Sequence, residues 1–426
     1  MFRCFQLRAL AASIVFGAMF LAFKAWGAEI LSPLGTSPDW SALERYQKTM
    51  THEDFTRLIE GVYCQNNASA EVIKVDAESA RILKNKDSGE YFILHFAKSE
   101  AMRRPLARSW MTVKSLPPRK SSGPFSDLRI ALDPGHIGGV WAKMEERWFQ
   151  VGDAPPVQEG DLTLRVAQMI APRLQQLGAK VSLVRHKLEP VTPQRPDDFQ
   201  ELAKKILKGG GITQPREDFD GPADPAKEQS VRWQSEVLFY RNSEIRHRAE
   251  IVNRRPRPDV VLCLHFNAEA WGDPKNPTLV DKNHLHLLVN GSYLQPELQF
   301  DDERFEMLRR LLSRAYFEEI ALAEKIAETI AKKTQLPAYE YITDNATNVG
   351  TSGYVYARNL MATRLYKCPV VYLEPYVMNS EEVFARIQAG DYEGTRNLNG
   401  KEQPSIFREY TDSVVEGLLD YYKARP

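Results

Sequence analysis

Residues 128–139 read LRIALDPGHIGG, and residues 159–184 read EGDLTLRVAQMIAPRLQQLGAKVSLV. These two stretches decide the fold class. The apolar run Leu128–Leu132 ends in the turn Asp133-Pro134-Gly135-His136, as a buried strand ends in a loop. From Gly160 to Leu177, the residues Leu162, Val166, Met169, Ile170, Leu174 and Leu177 share one stripe of a helix. Gly178 closes that helix, because glycine enters the left-handed conformation of a C-cap at little cost. Pro172 lies inside the stripe and predicts a kink. Val181–Val184 then reads as a second strand. Strand, helix, strand is the unit of an α/β domain.

Working outward, Val260–Leu264, Leu285–Val289 and Val370–Leu373 read as further strands. Phe317–Ala331 and Ile406–Tyr422 repeat the helical spacing. The α/β domain therefore extends over 128–422. Residues 187–245 separate a strand from the next helix by more than an ordinary connection. They read as an insertion, expected to form a lid or wall beside a cleft, with few means of building a core of its own. Residues 118–127 form a linker. Residues 39–117 read as a small N-terminal α+β module of unknown role, with a helix over Ser41–Tyr63 and strands at Val72–Val75, Arg81–Leu83 and Tyr91–Phe96.

Residues 1–27 carry Arg3 and Arg8 ahead of an uncharged apolar run, Ala9–Phe23. That run is shorter than the roughly 20 residues of a bilayer span, and suits the apolar region of a signal peptide. Ala25 and Gly27 place small residues for cleavage after Gly27, the alternative being a retained anchor. If the signal is cleaved, no stable membrane span remains. The body is read as exported, to the periplasm or cell envelope.

The chain has 426 residues, 43% hydrophobic and 26% charged, which excludes a polytopic membrane protein and a disordered chain. Lys+Arg and Asp+Glu number 56 each, so no basic excess steers it to nucleic acid. Four Cys are too few for a disulfide framework in a chain of this length. Cys263 lies in an apolar strand, where burial is expected.

Polar groups stand at the strand ends. His136 follows the first strand, His265 closes Val260–Leu264, and Glu374 closes Val370–Leu373. Glu159 opens the helix at Gly160. Ligands of open α/β sheets bind beyond the carboxyl ends of strands. Two imidazoles and one carboxylate with a free fourth position make a hydrolytic zinc site. A further carboxylate can take a proton from water and pass it to a leaving amine. Glu145 and Glu146 are alternatives to Glu159. Asp133 and Asn267 are candidates to orient the ligands. Arg358 and Arg364 are candidates to bind a substrate carboxylate. His284 and His286 flank Leu285 on one face of a strand, where a second metal pair is the alternative to a plain structural position.

IALDPGHIGG (130–139), QEGDLTLRVAQMIAPRLQQLGAKVSLVR (158–185), RAEIVN (248–253), DVVLCLHFNA (259–268) and PVVYLEPYVMNSEEV (369–383) follow one another in an order that resembles the zinc-dependent N-acetylmuramoyl-L-alanine amidases of bacterial cell walls. The resemblance covers about 128–422. It implies a mixed twisted sheet flanked by helices in three layers, as in the amidases and zinc exopeptidases. It implies zinc held by His136, Glu159 and His265, with Glu374 as the catalytic glutamate. The implied substrate is peptidoglycan, cut between N-acetylmuramic acid and L-alanine, and an activating protein partner is compatible with it. A different zinc peptidase acting on the stem peptide, or a non-catalytic wall-binding protein, are the alternative readings. Two departures stand out. The interval from His136 to Glu159 is long, and Phe266 replaces a small residue, predicting a bulkier cleft floor.

Overall fold

The computed structural model describes residues 29–120 and 123–426. The signal-peptide reading of residues 1–27 lies outside the described residues. No helix among the described residues is long and apolar enough to cross a membrane.

In chain order the N-terminal segment gives α1 (His52–Leu58) and the antiparallel strands β1 (Ile73–Val75), β2 (Ser79–Asn85) and β3 (Glu90–His95). There follow β4 (Arg129–Pro134), α2 (Glu159–Gln176), β5 (Lys180–Leu183), α3 (Gln200–Gly209), α4 (Val231–Val237), α5 (Glu244–Arg254) and β6 (Val260–Leu264). Next come β7 (Leu285–Val289), α6 (Asp301–Ser313), α7 (Tyr316–Thr334), β8 (Ala346–Asn348), β9 (Val355–Arg358) and α8 (Met361–Leu365). The chain closes with β10 (Val370–Pro375), α9 (Glu381–Gln388) and α10 (Ile406–Tyr422).

Seven strands form one mixed sheet in the order β8-β9-β7-β10-β6-β4-β5. β10, β6, β4 and β5 are mutually parallel, while β7 runs against β10. Strand alternation divides the apolar residues between the two faces. Ile130, Leu132, Leu262, Leu264, Leu287 and Leu373 face a core shared with α2, α7 and α10. Ala131, Val261, Cys263 and Val370 face a smaller cluster with Ala249, Val252, Ala362 and Tyr366. This is the three-layer α/β arrangement expected. α2 runs unbroken through Pro172. It ends at Gly178, φ 96°, with the amides of Gly178 and Ala179 donating to the carbonyls of Gln175 and Leu174.

The single helix expected over Ser41–Tyr63 is instead a short 3-10 helix, Trp40–Tyr46, a break, and α1 continued by a wider turn to Tyr63. The break arises because Gln47 leaves helical pairing to bind the edge of β3, its amide group spanning the Ile93 carbonyl and the His95 amide. Thr51 then caps the new helix through Asp54. The N-terminal segment shares its apolar core with the sheet domain. Buried Arg304 of α6 donates to the carbonyls of Leu83 and Lys84, and the Val62 and Tyr63 carbonyls accept from Ser292 and Tyr293.

Residues 187–245 do build a core. Phe199, Ala203, Leu207, Val231, Val237 and Phe239 cluster there. Ile137 belongs to the same cluster, with Trp141 and Met144 packed against it, so the insertion seats directly on the loop that follows His136.

α7 and α10 cross closely at Gly417, where an added Cβ would lie 2.7 Å from Ile326 Cα. That neighbour is backbone, so the helices must part. Gly417→Ala is expected to cost about 1–3 kcal/mol of stability despite its better helix propensity. A urea midpoint equal to that of the parent protein would contradict this close crossing.

Candidate metal centre

β4 ends at Pro134, and the chain turns so sharply that His136 takes φ 57°. For a residue with a Cβ this left-handed conformation costs roughly 1–2 kcal/mol, so the surroundings must hold it. Arg248 does so. Its guanidinium donates to the Pro134 carbonyl at 2.8 Å, the His136 carbonyl at 2.8 Å, Asp133 at 2.9 Å and Glu244 at 2.8 Å. Arg185 adds donors to the carbonyls of Gly135 (3.3 Å) and Gly160 (2.8 Å), tying the turn to the start of α2. Gly135 is needed for closeness: a Cβ there would lie 2.0 Å from Cε1 of His265.

The turn, the first residue of α2 and the end of β6 thereby bring three sequence-predicted residues together. Glu159 Oε2 lies 3.1 Å from His136 Nε2, and Glu159 Oε1 lies 2.9 Å from His265 Nδ1. The ligand atoms of His136, Glu159 and His265 all fall within 4.8 Å of one another. Two imidazoles and one carboxylate, with no thiol among them, suit zinc. Burial alone would raise the Glu159 pKa, but the two imidazoles hold it well below the carboxylate range. Burial also lowers His265, with Glu159 offsetting only part of the effect.

Glu145 and Glu146 do not occupy the position of Glu159. Glu145 is buried behind His136, 3.5 Å from its Nδ1, and accepts from the amides of Ile137 (2.9 Å) and Gly138 (3.2 Å). A carboxylate on the outer nitrogen of a ligand histidine fixes its ring and tautomer. Glu146 instead pairs with Lys227 of the insertion. Asp133 is buried and accepts from Arg248 and from the Tyr366 hydroxyl at 2.6 Å. It acts on His136 through the turn. Asn267 is half-buried, with its amide nitrogen 3.5 Å from His286 Nδ1.

Glu374 is half-buried one strand over, in register with His286. Burial and the neighbouring charge of Glu159 push its pKa well above the carboxylate range, with Arg147 and Arg358 opposing. Arg358 is near enough for its charge to bear on Glu374, and its Nη1 donates to the Tyr341 hydroxyl at 3.3 Å. Arg364 is not: it is buried between Glu303 (3.1 Å) and Glu306 (2.6 Å). Phe266 does not form the cleft floor. Alternation turns its ring to the opposite face, where it packs on Tyr376 and Tyr410. His284 faces Glu269 at 3.3 Å and His286 faces the Tyr341 hydroxyl at 3.0 Å, and neither belongs to a cluster of three metal-ligating groups among the described residues.

Sequence reasoning missed Glu145 as a support, Arg248 as the clamp, and Tyr372, whose ring stacks 4.1 Å from His265. Arg248 left a legible signal. It sits on the apolar stripe Ile245, Ala249, Val252 of an amphipathic helix, where a charge is out of place unless buried with partners.

His286 is pushed down to about 3 by burial, then by His284 and Arg358. It is neutral when folded and protonated when unfolded below its ordinary value near 6.5. Its linkage therefore preserves stability above pH 6.5 and erodes it as pH falls toward 3. The His286→Gln protein should lose less stability than the parent between pH 6.5 and 4, measured by urea unfolding at each pH. Parallel curves for the two proteins would contradict the neutral assignment.

No family model and no curated protein matches the chain. Among solved structures, an N-acetylmuramyl-L-alanine amidase, Ami1, from Mycobacterium smegmatis aligns at 14% identity and TM-score 0.38 over 70% of this chain and 98% of its own. AmiC2 of Nostoc punctiforme aligns at 17% identity and TM-score 0.36 over 70% and 99%. The CwlD amidase of Clostridioides difficile, solved in complex with the GerS lipoprotein, aligns at 12% identity and TM-score 0.36 over 70% and 99%. Solved structures that this chain is similar to thus include N-acetylmuramoyl-L-alanine amidases.

Proposed function

We propose that this chain is an exported, zinc-dependent N-acetylmuramoyl-L-alanine amidase of the cell wall, cleaving peptidoglycan between the lactyl group of N-acetylmuramic acid and L-alanine. The observation that carries the reading is the convergence of His136, Glu159 and His265 on one buried point, with the raised carboxyl of Glu374 on the neighbouring strand. His136, Glu159 and His265 would hold the zinc. Zinc bound there supplies Lewis acidity, polarising the scissile carbonyl and acidifying water. Glu374 takes a proton from the attacking water and returns it to the leaving amine of L-alanine. Its raised proton affinity suits the second of these steps, the return of the proton to the amine. Arg358, whose charge bears on Glu374, receives a carboxylate of the stem peptide. Glu145, Arg248 and Asp133 keep His136 oriented before substrate arrives, which removes that cost from the reaction.

Three measurements test this reading. The parent protein should carry one zinc per chain by elemental analysis, and His136→Ala and His265→Ala should carry close to none. Full zinc in both variants would overturn the ligand assignment. Glu374→Gln should keep the metal and fold and lose roughly 10²- to 10⁴-fold in turnover. On defined muropeptides the parent should release the intact stem peptide from lactyl-muramic acid, read by product mass, and a chelator should stop it. Release of free D-alanine instead would mark a stem-peptide peptidase.

A further inference from the structure

A cavity of about 510 Å³ opens between the N-terminal segment and α6. Its volume is that of an ordinary small-molecule site. Lys367, on its wall, precedes β10, and Glu374 stands at the far end of that strand. At the rise of an extended chain this separates the two by roughly 20 Å. The cavity thus lies at the opposite edge of the sheet from the histidine–glutamate cluster.

Five cations line it, Arg45, Arg108, Arg309, Arg310 and Lys367, with three carboxylates. The carboxylates are committed elsewhere. Asp39 accepts from Ser41, Asp302 from Ser32 and Arg246, and Glu306 from Arg364. Of the cations, Arg310 pairs with Glu319. Arg45, Arg108, Arg309 and Lys367 have no ion-pair partner among the described residues.

Two of these cations are held in place without a direct ion pair among the described residues, Glu318 and Glu306 acting on Arg108 and Arg309 only from a distance. Arg108 donates its Nε to the Ser313 carbonyl at 3.0 Å and lies 4.7 Å over the Trp110 ring, its terminal nitrogens having no hydrogen-bond partner among the described residues. Arg309 gives Nη2 to the carbonyls of Arg364 and Leu365, while its Nε is buried with no partner among the described residues. Tyr46 is 8% exposed, and its hydroxyl reaches the same space without a hydrogen-bond partner among the described residues. The charges of Arg45, Arg309, Arg310 and Arg108 all bear on that hydroxyl. Burial, then Arg309, Arg257 and Arg45, depress the Lys367 ammonium. Like charges crowded in a half-enclosed space repel, and an anion relieves the repulsion. Guanidinium forks match the oxygens of a phosphate group, and Trp110 and Phe305 give the cavity an apolar wall.

We propose that this cavity is a phosphate-binding site, in which Arg108, Arg309 and Lys367 grip the phosphate oxygens and Arg45 and the Tyr46 hydroxyl close its rim. The phosphate group is that of a soluble phosphate compound or of a lipid headgroup.

The test uses the full chain with two probes at fixed ionic strength. Inorganic phosphate is titrated calorimetrically, with sodium chloride as the control. Vesicles of phosphatidylglycerol are compared with vesicles of phosphatidylcholine in a sedimentation assay. Arg45→Gln and Lys367→Gln serve as variants, because neither side chain has a hydrogen-bond or ion-pair partner among the described residues. The expected result is one saturable phosphate per chain, weakened about tenfold in each variant. Phosphate binding without preference for the anionic vesicles assigns the soluble source. Vesicle binding that both variants lose and inorganic phosphate competes away assigns the headgroup. Absence of saturable binding of either probe overturns the proposal. So does binding that both variants leave unchanged, which would place the anion elsewhere, for example at the histidines.

Discussion

The Arg248 guanidinium is the member on which the rest of the centre depends. It is buried, and it spends its donors on two carboxylates and two backbone carbonyls. A lone buried charge would cost several kcal/mol, so Asp133 and Glu244 are as necessary to Arg248 as it is to them. The same contacts hold His136 in a left-handed conformation that its own backbone disfavours. The placement of the His136 imidazole is therefore a by-product of satisfying a buried charge: α5 supplies the cation, β4 an anion, and the strained turn after β4 carries the imidazole.

The centre is rigid for a second reason. The loop beyond His136 is closed from outside by the insertion, whose core includes Ile137 with Trp141 and Met144 against it. Glu145, on that loop, turns inward to face His136. The long interval between His136 and Glu159 thus houses both a support for the His136 ring and a seat for the insertion. Apolar packing on one side and a buried carboxylate on the other leave the loop little freedom.

The sheet also keeps its two edges chemically distinct. The carboxyl ends of β4, β6 and β10 gather acidic and imidazole groups, where Glu159 raises Glu374. The other ends of those strands, beside α6 and the N-terminal segment, lie near a cavity lined by five cations and three carboxylates.

Much of this was legible before any coordinates. The strand–helix–strand unit of 128–184, the outlying strands and the long C-terminal helix appear where apolar periodicity places them, because local hydrophobic spacing and caps are properties of the chain itself. The four residues His136, Glu159, His265 and Glu374 could be named because each borders a strand or helix that periodicity defines. What sequence could not supply was pairing across distance. Gln47 breaks the expected first helix by binding the edge of β3, a partner nearly fifty residues on. Arg364 and Arg358 look alike in sequence, yet one is buried between glutamates and the other bears on Glu374. Phe266 was assigned to the wrong face because which side of a strand meets the cleft is set by the sheet, not by the strand. Sequence alone determined the elements and the residues at their ends. Tertiary structure decided which charges are buried together, since that depends on desolvation, which no single segment experiences until the others close over it.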